Sequence, residues 1–331
     1  MRKSILGGAV LAFVFVAVLV SAAIPAMAQA PAGKMLRPRL LIHVVADLDK
    51  SVAFYRDNLD FQVVSGPDAL TGSALVQKAK ATAPGATARQ VTMHIPGSNL
   101  QLQFIAFSGI TGKAFEQRLY DPGVTRFSIQ VRDIDKAFAR VKDKVTVDTT
   151  SAGPVFTQRP RNNTRAVMMR DPDGFVFEFV QGDPQARTDV PESSNITNAR
   201  SSLAIESFDK SLAFYRDLLG FTFANPPGDV NDAVLALEGT PRGRARSSGG
   251  MPPGSNNIWF LWEFRELERT KRVPNVQDPG ASAISLDVEN VTALVGRIKD
   301  AGITVEWSGP GAALVRSPDG LLVELVEGRA Q

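Results

Sequence analysis

The chain has 331 residues, of which 37 are basic, 34 are acidic, two are histidine and none is cysteine. The lack of cysteine excludes disulfide bonds, thiol chemistry and a lipid-anchored lipoprotein. Without Arg2 and Lys3, the charge is 35 basic against 34 acidic residues, and no lysine-rich block remains to indicate a nucleic-acid partner.

The first 28 residues have the composition of a secretory signal peptide. Arg2 and Lys3 precede an apolar run from Ile5 to Val20, and small residues follow it up to Ala28. This order predicts cleavage after Ala28. The apolar run is too short and wrongly flanked for a membrane span. We therefore expect a periplasmic or secreted protein with no membrane span after cleavage.

One stretch of the chain occurs twice. Residues 47–61 read DLDKSVAFYRDNLDF, and residues 207–221 read SFDKSLAFYRDLLGF. Apolar residues at helical spacing predict a short amphipathic helix in each copy, with a β-like run before and after it. Such apolar stripes usually pack in a core, so the repeat is evidence for the fold before it is evidence for a function.

The chain divides into four units of similar pattern. Unit one contains a Gly/Ala/Thr-rich insertion over residues 66–88, and unit two closes with DPDGFVFEFVQG. Unit three contains a stretch over residues 239–255 that reads as a flexible basic loop, whose arginines are either solvated or able to meet an anion. Unit four closes with SPDGLLVELVEG. The predicted organisation is a signal peptide (1–28), a lead-in (29–38), domain one with units one and two (39–182), a linker (183–198), domain two with units three and four (199–328) and a tail (329–331).

The helix motif and the closing hairpin resemble those of the vicinal oxygen chelate superfamily, which includes glyoxalase I, bleomycin-resistance and fosfomycin-resistance proteins and extradiol dioxygenases. The resemblance covers nearly the whole chain after the signal peptide. It implies an α+β fold in which four βαβββ modules pair, one with two and three with four, into two glyoxalase-like domains with cupped mixed sheets. It also implies a ligand site on the concave face. Four modules in one chain supply the pairing that single-domain relatives obtain by dimerising, so a monomer is consistent with the sequence.

The resemblance also locates the positions that carry metal ligands in metal-dependent members, usually His on a first strand and Glu on a last strand. The first-strand positions here are Leu40, Arg126, Arg200 and Ala283, and the last-strand positions are Gln103, Glu178, Leu261 and Glu324. Two carboxylates and one amide are too few ligands, so we expect no cofactor. Strand alternation places His43 on the helix-covered face, where its role is structural. A bulge that turns His43 into the cavity would instead create a divalent-metal set of His43, Gln103 and Glu178.

Arginine and glutamate remain as candidates for chemistry at the vacated positions. We predict catalytic roles for Arg126 with Glu178 in domain one and for Arg200 with Glu324 in domain two. Such an arginine can bind an oxyanion while the glutamate moves a proton, although a pair of this kind can also serve only to satisfy two buried charges. The predicted ligand-binding residues are Gln101, Gln103, Ser128, Gln130, Ser202, Trp259, Glu263, Ser285 and Asp287.

These observations leave several functions open. The first is an exported protein that binds or sequesters a small apolar or aromatic ligand in a metal-free cavity, as bleomycin-resistance relatives do. The second is a lyase or isomerase that uses Arg/Glu acid-base chemistry. The third is a metal-dependent glyoxalase- or dioxygenase-like enzyme with an atypical ligand set. For an enzyme, the missing ligands favour a lyase or isomerase over a dioxygenase. In any of these, one domain can be only a structural partner of the other.

Overall fold

The computed structural model describes residues 33–158, 163–255 and 257–328. The predicted signal peptide and the tail over 329–331 lie outside the described residues. Within these ranges, every helix is too short or too polar to cross a membrane.

Four units of similar element order follow one another along the chain. Unit one contains β1 (Met35–Val44), α1 (Leu48–Leu59), β2 (Gln62–Ala69), α2 (Ala74–Thr82), β3 (Thr87–His94) and β4 (Gln101–Ser108). Unit two contains β5 (Thr125–Val131), α3 (Ile134–Val141), β6 (Thr146–Val147), β7 (Val155–Gln158), β8 (Asn163–Arg170) and β9 (Val176–Asp183). Unit three contains β10 (Ile196–Ala204), α4 (Phe208–Leu212), a π-helical segment (Ala213–Leu218), β11 (Thr222–Phe223), β12 (Gly228–Asp229), α5 (Asp232–Leu237), β13 (Arg244–Met251) and β14 (Trp259–Arg265). Unit four contains β15 (Ser282–Val288), α6 (Val291–Asp300), β16 (Val305–Gly309), β17 (Ala312–Arg316) and β18 (Leu322–Glu327).

The strands form two mixed sheets. Sheet A has the order β16-β17-β18-β15-β1-β4-β3-β2, and sheet B has the order β11-β13-β14-β10-β5-β9-β8-β6. At the centre of each sheet, the first strands of two units pair antiparallel, β1 with β15 and β5 with β10. Each first strand also pairs in parallel with the last strand of its own unit. The predicted fold class, α+β with four βαβββ modules in two cupped mixed sheets, is confirmed.

The predicted partners within the sheets are wrong. Sheet A combines units one and four, and sheet B combines units two and three. A repeat shows which units share a structure, but it does not show which of them pair, because the first strand of every unit presents a similar unpaired edge. Each concave face is therefore built from one unit of the N-terminal half and one unit of the C-terminal half.

The helix motif of unit one, in sheet A, contacts the closing-hairpin motif of unit two, in sheet B. The Tyr55 hydroxyl of α1 donates to the Asp171 carboxylate of the turn before β9, at 2.6 Å, and both side chains are buried. Ser51 of α1 donates to Asp173 of the same turn at 2.6 Å. Helix α1 packs on β3 and β4 of sheet A, whereas the turn leads into sheet B. The motif that marks the repeat thus ties unit one to unit two.

The two copies of the motif form different helices. Helix α1 begins after Asp47, whose side chain accepts from the Lys50 backbone N–H. The second copy has Ser207 at this position without a side-chain cap, and after five residues its α-helix continues as a π-helix. Ser211 donates to Asp319 at 2.8 Å, but the buried Tyr215 hydroxyl has no hydrogen-bond partner within the described part of the chain.

The predicted basic loop over residues 239–255 is largely a strand. Residues Arg244–Met251 form β13, which pairs antiparallel with β14. On its other edge, Gly250 of β13 lies opposite Phe223 of β11, where a Cβ would lie 2.5 Å from the Phe223 ring. Arg246 donates to Glu263 at 2.8 Å and Arg244 lies 3.7 Å from Asp232, so both arginines have carboxylate neighbours within the protein.

The contact between Tyr55 and Asp171 predicts a difference between two matched substitutions. Tyr55→Phe removes a hydrogen bond to a buried carboxylate and should lower the free energy of unfolding by about 1.5–3 kcal/mol. Tyr215→Phe removes a buried hydroxyl without a described hydrogen bond and should therefore not lower the free energy of unfolding. Burial raises the pKa of Asp171 to about 7. Denaturant unfolding is therefore measured near pH 8, where Asp171 is ionised, and equal losses in the two variants would contradict the assignment.

Candidate functional site

The concave face of sheet B carries a cavity of about 400 Å³. On the paired strands β5 and β10, Arg126 lies opposite Ser202 and Ser128 lies opposite Arg200. Because side chains alternate along a strand, these four residues share one face of the sheet. Strand β9 adds Glu178, which lies beside Ser128 in the parallel register. The apolar part of the wall consists of Val180, Val230, Val234, Phe260 and Trp262.

Arg126 is a buried charge in this cavity, with only 4% of its surface exposed. Its guanidinium carbon lies 4.3 Å from the centre of the Trp262 ring, and its Nη1 donates to Glu238 at the end of α5. A carboxylate partner and an aromatic face both offset the cost of burying a guanidinium. Nearby, the Ser128 hydroxyl donates to Glu178 at 2.6 Å. The cavity therefore combines a fixed cation, a carboxylate and apolar walls.

Sheet B brings together six of the predicted site residues. Arg126, Ser128, Gln130, Glu178, Arg200 and Ser202 all line its cavity. The two predicted Arg/Glu pairs do not form as expected. Arg126 is paired with Glu238 instead of Glu178. Arg200 lies in sheet B whereas Glu324 lies in sheet A, because the units pair differently from the prediction.

The sequence analysis predicted Trp259 and Glu263 of β14 as ligand-binding residues, but both side chains lie on the face of the strand opposite the cavity. Trp259 packs against Phe221 in the helix-covered core, with ring centres 5.8 Å apart. Glu263 accepts from the Phe208 N–H and from Arg246. Sequence reasoning missed Trp262, which faces the cavity from the same strand. The run WFLWEF is apolar on both faces, so alternation alone cannot say which aromatic faces the ligand.

Glu238 was also missed. It follows the apolar sequence DAVLAL, which forms α5 and was not predicted as a helix. No sequence pattern marks a carboxylate that follows a short apolar run as a residue of a binding site. Only the tertiary contact between Arg126 of β5 and the end of α5 identifies Glu238 as the partner of Arg126.

The concave face of sheet A is filled by helix α2, which lies in the insertion over residues 66–88. Ala74, Leu75, Val76 and Ala79 of this helix are fully buried. They belong to one apolar cluster with Leu40, Ile42, Ala283, Leu314 and Leu322 of the sheet. Glu324 lies under the helix start and accepts from Ser73 Oγ at 2.7 Å, the Ala74 N–H at 2.8 Å and Ser285 Oγ at 2.8 Å.

The remaining predicted ligand-binding residues serve other contacts in and around sheet A. Gln103 is buried and donates to Gln90 and Thr92, at 3.2 and 3.4 Å. Gln101 lines a separate cavity of about 420 Å³ that also contains Arg37. Asp287 accepts from Arg37 Nε at 2.7 Å. These three residues therefore lie outside the cavity of sheet B.

His43 lies in an aromatic cluster, as its predicted structural role requires. Its ring stacks on Phe175 with centres 3.6 Å apart and has Phe104 and Phe127 as further neighbours. Burial lowers the pKa of His43 to about 3. The alternative metal set is contradicted, because His43 and Gln103 belong to sheet A and lie on opposite faces of adjacent strands, whereas Glu178 belongs to sheet B.

The residues at the family's metal positions do not fit a divalent cation. In sheet B, Arg126 and Arg200 stand on the cavity face, where guanidinium groups repel a dication. In sheet A, Glu324 already accepts three hydrogen bonds, and its neighbours Leu40 and Ala283 offer no donor atoms. Among the described residues, no three His, Cys, Asp or Glu side chains are grouped so that they could hold a metal ion.

Two cupped sheets of paired βαβββ units, with a polar and apolar cavity on a concave face, define the glyoxalase class of fold. A model of the Glyoxalase/Bleomycin resistance protein/Dioxygenase superfamily matches residues 40–179 and 199–325, and the chain belongs to this superfamily. A lactoylglutathione lyase of Arabidopsis thaliana is 24% identical over 194 residues, which are 55% of this chain and 55% of the relative. The chain thus spans about half the length of the curated relative that it matches.

Two solved structures have a similar fold. A glyoxalase I mutant from Zea mays has a TM-score of 0.56 and 17% identity, with 89% of this chain and 92% of that chain covered. A putative dioxygenase from Bacillus subtilis has a TM-score of 0.51 and 14% identity, with 89% and 86% covered. At these identities the likeness shows the fold alone.

The hydrogen bonds of Glu324 predict that this residue holds α2 in place. Glu324→Gln weakens the charge-assisted bonds to Ser73 and Ala74 and should lower the free energy of unfolding by about 2–3 kcal/mol. Ser73→Ala removes only one of them and should cost about 1 kcal/mol. Denaturant unfolding followed by circular dichroism measures both. An unchanged midpoint for Glu324→Gln would mean that the carboxylate does not anchor the helix.

The lowered pKa of His43 predicts a loss of stability in acid. Below pH 6.5 the unfolded chain takes up a proton at His43, whereas the folded protein does so only near pH 3, so stability falls as the pH drops through this window. In His43→Phe, the difference in unfolding free energy between pH 7.0 and pH 4.5 should shrink by about 2.5 kcal/mol relative to the unchanged protein. His94→Gln controls for the loss of a histidine as such. The same pH dependence in His43→Phe and the unchanged protein would refute the assignment.

Proposed function

We propose that this protein binds a small molecule in the cavity of sheet B. One observation carries the proposal: the two concave faces differ, because α2 fills that of sheet A whereas that of sheet B retains about 400 Å³. Ligand sites are typically clefts of this size with apolar walls and a few fixed polar groups. The predicted signal peptide supports an exported protein, and the pairing of all four units within one chain supports a monomer.

The composition of the cavity favours an apolar or aromatic ligand that also carries polar groups. Val180, Val230, Val234, Phe260 and Trp262 provide the apolar contacts. Ser128, Gln130 and Ser202 can donate to or accept from the ligand. Three carboxylates line the cavity beside the two arginines, so the cavity does not demand a strongly anionic ligand. Sheet A, with its face covered, serves in this proposal as the structural partner of the binding sheet.

A second candidate is a metal-independent lyase or isomerase at the same cavity. The observation that favours it is the position of Glu178, which lies on the cavity wall within hydrogen-bond distance of Ser128. In this case Glu178 moves a proton of the bound substrate, and Arg126 and Arg200 stabilise a developing oxyanion. Substrate turnover during a binding experiment would separate the enzyme from the binding protein.

The binding proposal predicts that filling the cavity abolishes ligand capture. Ligand-observed NMR with a set of small neutral aromatic and aliphatic compounds identifies binders of the mature chain. Val234→Trp and Ser247→Phe place larger side chains in the cavity from α5 and from β13 and should weaken each such binder by at least about tenfold. Val63→Trp adds the same side chain at an exposed position of β2 and is the matched control. Binders that persist with unchanged affinity in both filled variants would contradict the proposal.

A further inference from the structure

A second cavity, of about 420 Å³, lies where the two sheets meet and shares no lining residue with the cavity of sheet B. Its wall is formed by the beginnings of β1 and β4, by the middle of β10 and by the chain that leads from β13 into β14. Units one and three therefore build it together, although they belong to different sheets. This junction cavity is lined, among others, by Arg37, Arg39, Gln101, Ser201, Asn257 and Trp259.

Close backbone contacts hold the walls of the junction cavity in place. Gly254, in the turn between β13 and β14, has a φ of +60°, and a Cβ on it would collide with the carbonyl oxygen of Leu36. A glycine allows the turn to approach β1 this closely. On the opposite strand order, the Ser98 hydroxyl in the turn before β4 donates to the Ala199 carbonyl of β10 at 3.4 Å. The cavity is thus a fixed feature of the contact between the sheets.

Two half-exposed arginines provide the charge of the junction cavity. Arg37 donates through Nε to Asp287 at 2.7 Å, and Arg39 Nε lies 3.9 Å from the other oxygen of the same carboxylate. Within the described part of the chain, the terminal nitrogens of both guanidinium groups make no hydrogen bond. None of the described residues that line the cavity is acidic. Two cations and one carboxylate leave one net positive charge, which a bound monoanion would balance.

Two buried polar side chains on the wall lack partners. Ser201 is 3% exposed, and its hydroxyl has no hydrogen-bond partner among the residues that the structure describes. Asn257 is 9% exposed, and its side-chain amide makes no hydrogen bond within the described ranges. Buried polar groups without partners cost free energy that a bound ligand would recover. Hydroxyl groups on the ligand suit both residues, because a hydroxyl donates as well as accepts.

We propose that the junction cavity binds a hydroxylated organic carboxylate, at a site separate from the cavity of sheet B. The ligand's carboxylate accepts from Arg37 and Arg39, whose planar guanidinium groups match its two oxygens. Its hydroxyl groups bind Ser201, Asn257 and Gln101. The cavity volume of about 420 Å³ lies in the range of small-molecule sites and has room for a sugar acid. The single net charge favours a carboxylate over a phosphate monoester, which carries nearly two negative charges at neutral pH.

The test compares gluconate with sorbitol, which has a CH₂OH group in place of the carboxylate. Both compounds are titrated into the mature chain by calorimetry at low ionic strength. Gluconate should bind at least about tenfold more tightly, because its carboxylate accepts charge-assisted hydrogen bonds. Arg39→Gln should remove most of this difference. Arg89→Gln removes an exposed arginine of β3 outside the cavity and should leave the difference unchanged.

A second variant, Ser201→Ala, tests the site without breaking a described hydrogen bond of the protein. Because the hydroxyl is buried without a partner, this variant should be at least as stable as the unchanged protein in denaturant unfolding. It should bind gluconate about threefold or more weakly. Hexanoate keeps the carboxylate but has no hydroxyl groups, so its affinity should be the same for Ser201→Ala and the unchanged protein.

Three results would overturn the proposal. Equal affinity of gluconate and sorbitol, or no binding of either, would mean that the cavity does not bind a carboxylate. Tighter binding of glucose 6-phosphate than of gluconate would contradict the carboxylate class. Gluconate affinity that is unchanged in both Arg39→Gln and Ser201→Ala would place its site elsewhere. Each of these results leaves ligand capture by sheet B to be decided by its own test with Val234→Trp.

Discussion

The antiparallel pairing of the units' first strands is the constraint on which the rest of this structure depends. Each first strand already pairs with the last strand of its own unit on one side, so the other edge has to be covered by a second unit. The pairing of β5 with β10 joins two half-sheets and sets Arg126 beside Ser202 and Ser128 beside Arg200. The candidate site is a consequence of this register, since residues distant in sequence share one concave face.

The same architecture is used in two ways because the helices inserted in units one and three differ in length and position. The longer α2 covers Glu324 and completes an apolar core on sheet A. The shorter α5 leaves a cavity over sheet B and contributes Glu238, the partner of Arg126. Covering one face stabilises the protein, and leaving the other open creates room for a ligand. The internal repeat therefore supports a division of roles between a structural sheet and a binding sheet.

Electrostatics distinguishes this cavity from a metal centre of the same fold. Arg126 occupies a first-strand ligand position, and its charge is balanced by Glu238 and by the face of Trp262. A guanidinium at this position presents N–H donors to the cavity where a metal ligand would present a lone pair. Burial of His43 among phenylalanines likewise favours its neutral form and leaves it no route to the cavity. The polar groups of sheet B are suited to hydrogen bonding with a ligand.

The sequence by itself determined the fold class, the four units and most of the polar residues of the sheet B cavity, because helical and strand periodicity are local and the repeated motif carries them twice. The resemblance to the superfamily located the positions of Arg126 and Glu178, and alternation then placed Ser128 on the same concave face. Only the tertiary structure decided that unit one pairs with unit four, that α2 fills sheet A, and that Trp262 and Glu238 belong to the site. These features depend on which equivalent edges meet and on how side chains distant in sequence fill the space between them, and no local pattern encodes that choice.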